Sequence, residues 1–234
     1  MKKIFCLTWI LIFMLSANVF AEENLRIISV NGDGIIETSP DRATVSVGVV
    51  SRNKDASKVQ SENARIATEI INSVVALGVE RKNIRTGNYN FRQVFRTNDN
   101  GKRIFDGYEV TNTVTIIVDD IKIVGKVIDA ALSHGANKID SLQFGLRDKK
   151  NFQLEAIQLA TRDARTKAEI VARELGRSII GVKNVSINSA SVSAPRYAKM
   201  MMLDSAAVEE NFETPIESGN LTCSASVHVE FEIN

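Results

Sequence analysis

Residues 42–49, with the sequence RATVSVGV, place an apolar side chain at every second position. A period of two is typical of a β-strand with one buried face and one solvent-facing face. The same alternation returns at residues 108–118 and, most regularly, at residues 221–233. These three segments predict strands that each cover a core on one side only.

Three other segments, at residues 55–77, 120–134 and 148–175, have helical periodicity. Each begins at an aspartate and ends just before a glycine, and these are ordinary start and stop signals of a helix. In the third segment an alanine recurs every four residues. The small side chains let this helix lie unusually close to the surface it covers, and we interpret them as a packing device: Ala156, Ala160, Ala164, Ala168 and Ala172.

The order of elements from residue 42 to residue 147 is strand, helix, strand, strand, helix, strand, as in a ferredoxin-like unit. A pair of strands joined by a turn at residues 31–34 (NGDG) is expected before it, and a helix and two strands after it. We therefore predict an α+β fold, with helices on one face of a mainly antiparallel sheet and a βαββαβ core extended by a further αββ. Residues 98–101 (NDNG) form a second predicted turn.

Residues 1–21 have the pattern of a secretory signal peptide. Lys2 and Lys3 precede an apolar run, and Val19 and Ala21 provide small residues before a cleavage site. Cleavage after Ala21 leaves residues 22–234 as one periplasmic domain. The apolar run is too short to span a bilayer and no later segment approaches the needed length, so no stable membrane span is expected after cleavage. A retained anchor is the alternative.

The composition is that of a folded globular protein, with 234 residues of which 44% are hydrophobic and 24% charged. The formal net charge is +1. Loss of Lys2 and Lys3 makes it about −1, so no global field of either sign steers the protein toward nucleic acid or an anionic membrane. Any such binding must be local.

The sequence offers little for catalysis. His134 is predicted at a helix C-terminus and His228 on the solvent-facing side of a strand, and we interpret both as structural. Cys223 points into the core, which makes its thiol inert. The chain lacks hydrolase, phosphate-loop and zinc-protease motifs, as well as the His and Cys spacing of zinc or copper sites. We therefore expect no enzymatic activity and no cofactor.

Residues 81–103 carry seven basic side chains against one acidic one, interleaved with aromatic residues. This composition superficially resembles a nucleic-acid surface. The strand period, however, places Tyr89, Phe91 and Phe95 on one face and Arg92 and Arg96 on the other, so bases and phosphates could not be bound on the same face. We therefore expect no nucleic-acid partner.

Residues 189–219 form a predicted connection of 31 residues, which is long for a compact domain. It is interpreted as either disordered or an interaction arm. It contains Met200, Met201 and Met202, which either bind a soft metal, absorb oxidant or, as we favour, form an apolar contact patch. It also holds five acids and no base between residues 204 and 217.

The basic strand region and the acidic arm have complementary charges. Such patches either pair, within or between subunits, or are solvated independently. An arm of this length can reach a neighbour and close a head-to-tail ring. The predicted contact residues of a homo-oligomer are Arg92, Arg96, Arg103, Met200, Met201, Met202, Glu209, Glu210 and Glu213.

Several short motifs resemble, in their order and spacing, the SIMPL-domain family of exported bacterial proteins. They are residues 30–34 (VNGDG), 40–43 (PDRA), 84–86 (IRT), 107–110 (GYEV), 139–144 (IDSLQF), the alanine helix ending at 175–176 (LG), and 215–219 (PIESG). Ser218 departs from the small or proline residue usual before the last glycine.

This resemblance implies a periplasmic, non-enzymatic protein that assembles into rings or channels, with relatives described as immunogenic or as oxidative-stress defence proteins. It provides no catalytic residues. We therefore expect an exported, self-assembling protein with a stress-related role in the envelope. The alternative is a periplasmic binding module for a small ligand, a metal or an envelope polymer, whose identity the sequence does not reveal.

Overall fold

The computed structural model describes residues 26–193 and 214–234. The predicted signal peptide lies outside these residues. The described part is α+β, with all strand pairs antiparallel, and comprises β1 (Ile27–Thr38), β2 (Arg42–Asn53), α1 (Ala56–Ala76), β3 (Ile84–Thr97), β4 (Arg103–Val118), α2 (Val124–Ser133), β5 (Lys138–Gly145), α3 (Lys149–Glu174), β6 (Ile179–Ser193) and β7 (Leu221–Ile233).

The three predicted helices are confirmed to within a few residues. The side chains of Asp55 and Asp148 accept hydrogen bonds from backbone amides in the first turns of α1 and α3. Asp120 does the same for a short 3-10 turn that leads into α2. The glycine after each helix has positive φ, as a left-handed closing residue requires: Gly78, Gly135 and Gly176.

Four strands form one sheet in the order β3-β4-β2-β5, and α1 and α2 cover one of its faces. The predicted alternation of β2 is confirmed, because the alternating apolar residues at positions 43–49 are at most 1% exposed. Ala43, Val45 and Val47 belong to one apolar cluster with the inward residues of β4 and with Ile70 and Val74 of α1. The buried residues of β2 are Ala43, Val45, Val47 and Val49.

The other three strands form a second sheet in the order β1-β7-β6, and α3 lies across it. All five alanines of α3 are at most 2% exposed. They contact the inward residues of β7, among them Cys223, Val227 and Val229, in a second apolar cluster. The packing role of the alanine row and the inward direction of Cys223 are therefore confirmed.

The turn predicted at residues 31–34 is wrong, and so is the pair of strands before the ferredoxin-like order. β1 runs unbroken from Ile27 to Thr38 through both glycines. A Cβ atom at Gly32 would lie 2.7 Å from the Cβ of Ala164, and closer still to the carbonyl oxygen of Ala160. These glycines are needed because α3 approaches the strand so closely, and not because the chain turns.

The strands form two sheets, where a single sheet was expected. Between β1 and β2 the chain passes through Pro40, which cannot donate a ladder hydrogen bond. Two segments then connect the four-stranded part of the protein with the three-stranded part. Asp41 donates its backbone amide to the Gly145 carbonyl and accepts the amide of Arg147, while Ile216, shortly before β7, packs against the cluster under α1 and α2.

The long connection is shorter than predicted. Residues 189–193 continue β6 and pair with β7, with Ala190 opposite Ala225 and Val192 opposite Cys223. Residues 214–220 are anchored as well, because Thr214 donates its amide and its hydroxyl to the carboxylate of Asp129 on α2. The part of the arm between these ends, residues 194–213, lies outside the described residues.

Candidate functional site: the β3–β4 hairpin

β3 and β4 form a long hairpin that extends past the rest of its sheet. The turn predicted at residues 98–101 is confirmed. Asn98 accepts the amides of Asn100 and Lys102 on its side chain, and Gly101 has positive φ. The pairing of β2 with β4 stops at Asn53 opposite Tyr108. Residues 94–107 therefore form a two-stranded ribbon that only the hairpin itself supports.

One face of the β3–β4 hairpin carries an aromatic cluster. The ring centroids of Phe91 and Tyr108 are 5.4 Å apart, those of Phe105 and Tyr108 are 5.2 Å apart, and those of Phe95 and Phe105 are 6.0 Å apart. These distances are typical of packed aromatic pairs. The three phenylalanines nevertheless remain 38–46% exposed, and Tyr89 beside them is 52% exposed.

The aromatic cluster is uncovered because α1 begins where β2 ends and then runs back over the sheet. Asn63 of α1 already reaches the carbonyl oxygens of Val49 and Val110. A β-bulge at residues 106–107 keeps Phe105 on the same face as Tyr108. Gly107 permits the bulge, because its φ is 136° and a Cβ atom there would lie 2.7 Å from the Asn53 carbonyl oxygen.

The opposite face of the hairpin is charged. Glu109, 3% exposed, accepts hydrogen bonds from Arg52 on β2 and Arg92 on β3, with Nε to Oε distances of 2.6 and 2.8 Å. The hydrogen bond from Arg92 lowers the pKa of Glu109 most. Burial opposes this effect, and Arg52 adds to it. Arg96 pairs more loosely with Asp106 at 3.5 Å.

The structure thus divides the predicted basic contact residues between the two faces. Arg92 and Arg96 lie on the charged face, while the guanidinium of Arg103 stacks 4.3 Å above the ring centroid of Phe95 on the aromatic face. The predicted separation of Phe91 and Phe95 from Arg92 and Arg96 is confirmed. The predicted acidic and apolar partners lie outside the described residues: Met200, Met201, Met202, Glu209, Glu210 and Glu213.

A second polar cluster surrounds Asp119 at the end of β4. Its carboxylate accepts hydrogen bonds from Arg42 Nε at 2.7 Å and Asn83 Nδ2 at 3.2 Å. Burial alone would raise the pKa of Asp119, but Arg42, Arg147 and Asn83 outweigh it, and the pKa is lowered. Shallow cavities of about 210 and 190 Å³ lie on either side. Sequence reasoning missed this cluster, because its members are far apart in the chain.

The two histidines have the structural contacts expected of them. His134 Nδ1 lies 2.8 Å from the Ala130 carbonyl at the end of α2. His228 on β7 is held across the strands, with Nδ1 2.8 Å from Asn31 Oδ1 and Nε2 3.1 Å from Ser29 Oγ. Within residues 26–193 and 214–234, no group of three His, Cys, Asp or Glu side chains is arranged to hold a metal ion.

Over the same described ranges, no helix combines the length and the apolar content that a membrane crossing requires.

Comparison with known proteins gives one family and several relatives. Residues 28–231 match the family SIMPL, described as "Protein of unknown function (DUF541)". The "26 kDa periplasmic immunogenic protein" of Brucella melitensis is 26% identical, over 97% of this chain and 94% of that protein. The "Uncharacterized protein YggE" of Escherichia coli K12 is 24% identical, over 80% of this chain and 76% of that protein.

Proposed function

The chain belongs to the SIMPL family, and from this membership we propose that it is an exported, non-enzymatic periplasmic protein that self-assembles and serves the envelope under oxidative stress. The observation that carries the assembly is the β3–β4 hairpin, which projects from its sheet and exposes Arg92 and Arg96 on its charged face. Charged surfaces of this kind are typical of contacts with a surface of opposite charge.

Export is supported by the signal-peptide pattern of residues 1–21 and by the similarity to a Brucella protein that is named as periplasmic. We propose that cleavage follows Ala21 and that residues 22–234 are the mature protein. Intact mass of the periplasmic fraction tests this. A protein that begins at Glu22 supports the proposal, whereas a chain that retains residue 1 and stays with the membrane contradicts it.

Within the four-stranded half, we further propose a ferredoxin-like unit formed by β2, α1, β3, β4, α2 and β5. The strand order β3-β4-β2-β5 and the antiparallel pairing support this assignment.

Assembly is proposed to join the hairpin of one subunit, through Arg92, Arg96 and Arg103, to the arm of the next. Arg92 and Arg96 keep side-chain exposures of 61% and 62% despite their ion pairs, so each retains donors for a further carboxylate. The arm supplies Glu209, Glu210 and Glu213, with Met200, Met201 and Met202 as an apolar anchor. A contact between different surfaces of identical subunits closes into a ring when the rotation between subunits permits.

Light scattering and native mass spectrometry of the exported form test this assembly. Replacement of residues 194–213 by a Gly/Ser linker of equal length should give monomers with an unchanged far-ultraviolet circular dichroism spectrum. Reversing Glu209, Glu210 and Glu213 to Lys should also dissociate the oligomer, whereas the same reversal at the exposed residues Glu37, Glu155 and Glu174 should not. An unchanged mass after the linker replacement contradicts the proposal.

A thiol sensor does not account for the proposed stress role, because Cys223 is fully buried. The protein should therefore act through its assembled surface. Survival of peroxide by a strain that lacks the gene tests the role. Complementation by the wild-type chain and by a Cys223→Ala variant should be equal, and failure of the wild-type chain to restore survival contradicts it.

A binding module is the second candidate, and the surface that favours it is the helix-free face of the four-stranded sheet. Its polar side chains include Ser46 and Thr115, whose hydroxyls lie 3.3 Å apart. At one end the cavity of about 190 Å³ is lined by Arg42, Gln143 and Lys149. A monomer that retains a small anionic ligand through purification would favour this function over assembly.

A further inference from the structure

The aromatic rings of the hairpin are not among the contact residues of the proposed assembly. Two of its three hairpin contacts, Arg92 and Arg96, point to the other side, and the third, Arg103, stacks on Phe95. Phe91, Phe95 and Phe105 are 38–46% exposed, and ring contacts connect them through Tyr108. Because the rings pack against one another, only their solvent-facing side is without an apolar contact.

Basic side chains lie on both faces of the hairpin end. Between residues 89 and 108 the sequence has four cations and two acids: Arg92, Arg96, Lys102 and Arg103 against Asp99 and Asp106. Arg103 is on the aromatic face itself, with its guanidinium 4.3 Å from the Phe95 centroid. Lys102 lies in the exposed turn at the tip. The hairpin end is therefore locally positive, although the whole chain is nearly neutral.

Exposed aromatic rings bordered by cations have the chemistry of the membrane interface. Trp and Tyr concentrate at the level of the lipid headgroups, Phe is among the residues that interfacial elements bury at the boundary of headgroups and acyl chains, and adjacent Lys and Arg residues are attracted to anionic lipids. We propose that the tip of the β3–β4 hairpin is a peripheral membrane-binding element, which inserts Phe95 and Phe105 into the headgroup region of an anionic phospholipid leaflet while Lys102 and Arg103 contact its phosphates.

The geometry of the hairpin suits shallow insertion. The turn is held by the Asn98 side chain, and the bulge at Gly107 aligns Phe105 with Tyr108. The ribbon extends past the last β2 pair, so the tip can meet a flat surface before the sheet does. Little order needs to be gained on binding, because the rings already pack against one another.

Sedimentation with vesicles tests the proposal. The exported form should pellet with vesicles of phosphatidylethanolamine and phosphatidylglycerol, and about tenfold less with vesicles of phosphatidylcholine alone. The variant Phe95→Ser/Phe105→Ser should bind the anionic vesicles about tenfold more weakly than the wild type. The matched control Ile35→Ser/Ile180→Ser removes two residues that are 63% and 66% exposed elsewhere, and it should bind like the wild type.

A fluorescent variant gives a second readout that does not depend on removing the rings. The one tryptophan of the sequence, Trp9, lies in the predicted signal peptide, so Phe95→Trp provides a single probe in the exported form. Its emission should shift to the blue with anionic vesicles and be quenched by brominated acyl chains, whereas Ile35→Trp should show neither change.

Two results would overturn the proposal. One is an exported protein that does not pellet with anionic vesicles, together with a Phe95→Trp variant whose emission the vesicles leave unchanged. The other is a double serine variant that binds vesicles as well as the wild type, and if that variant also loses its oligomeric mass, the rings belong to a contact with a second copy of the chain. The linker replacement of residues 194–213 is followed by oligomeric mass in the absence of lipid, so its outcome does not depend on vesicle binding.

Discussion

Gly32 of β1 and Ala164 of α3 lie so close together that a Cβ atom at position 32 would be 2.7 Å from the Cβ of Ala164. Real Cβ contacts are not this short, and the neighbouring atoms belong to the helix backbone and cannot rotate away. The pair therefore fixes how closely α3 can cover the three-stranded sheet. Because all five alanines of α3 are buried in the same contact, the approach is continuous along the helix.

Replacement of Gly32 by Ala should destabilise the protein by about 2 to 3 kcal/mol or more, since overpacking forces backbone shifts. Urea unfolding measured by circular dichroism provides the value. Gly145→Ala is the matched control. Gly145 also lies in a strand, but the nearest atom to its Cβ position is 3.9 Å away and belongs to a flexible lysine. Equal stability of the two variants would contradict the close contact of α3.

Much of the fold could be predicted from local signals. The aspartates and glycines that bound the helices act on the backbone within one turn, so they can be read without tertiary information. The alternation of β7 likewise reflects a single buried face. The helix limits follow from the aspartates and glycines, and the inward direction of Cys223 follows from the alternation of β7.

The errors arose where tertiary packing decides the local conformation. The sequence of residues 31–34 has two glycines, which ordinarily indicate a turn, but here both are in a strand beneath α3. Residues 189–193 contain only small residues and one valine, so their strand period was weak. The charged and aromatic faces of the hairpin were predictable from the alternation, whereas the burial of Glu109 depended on arginines from two other strands.

Asn63 provides a prediction about a polar group in the core. It is fully buried on α1, and its Nδ2 donates to the carbonyl oxygens of Val49 and Val110 and to Ser51 Oγ, at 3.2 to 3.3 Å. Replacement by Leu keeps a similar volume and removes the Nδ2 donor, but it also removes Asn63 Oδ1, which is buried without a hydrogen-bond partner. We expect a loss of about 1 to 2 kcal/mol in the free energy of unfolding.

Ser61→Leu is the control for that variant, because Ser61 is exposed on the same helix. Its stability should stay within about 0.5 kcal/mol of the wild type. A loss for Asn63→Leu no larger than this would show that the three hydrogen bonds do not stabilise the junction of α1 with the sheet.

Cys223 should resist alkylation in the folded protein. Burial raises the pKa of its thiol, and the negative charge of Glu155 adds to this, so the reactive thiolate is scarce as well as inaccessible. Labelling by a chromogenic disulfide reagent should be complete in a denaturing concentration of guanidinium and slow without it. Rapid labelling of the native protein would contradict the inward register of β7.

The Glu109 cluster makes stability depend on pH in a defined direction. The pKa of Glu109 in the folded protein lies below its ordinary value of 4.5, mainly because Arg92 hydrogen-bonds to the charged form. In the unfolded chain the carboxyl group binds its proton more readily. Its contribution is therefore fully present well above pH 4.5 and is lost as the pH falls through the folded pKa. The variant Glu109→Gln lacks this contribution at every pH.

Urea unfolding of the wild type and of Glu109→Gln at pH 7 and at pH 3 measures that contribution. At pH 7 the variant should be less stable by about 1 to 2 kcal/mol, the value of hydrogen bonds to a charged group whose arginine partners stay 66% and 61% exposed. The difference should shrink toward zero at pH 3. Glu37→Gln, at an exposed position of β1, should follow the wild type at both values. A difference for Glu109→Gln that does not change with pH would mean that the packing of this side chain, and not its charge, stabilises the base of the hairpin.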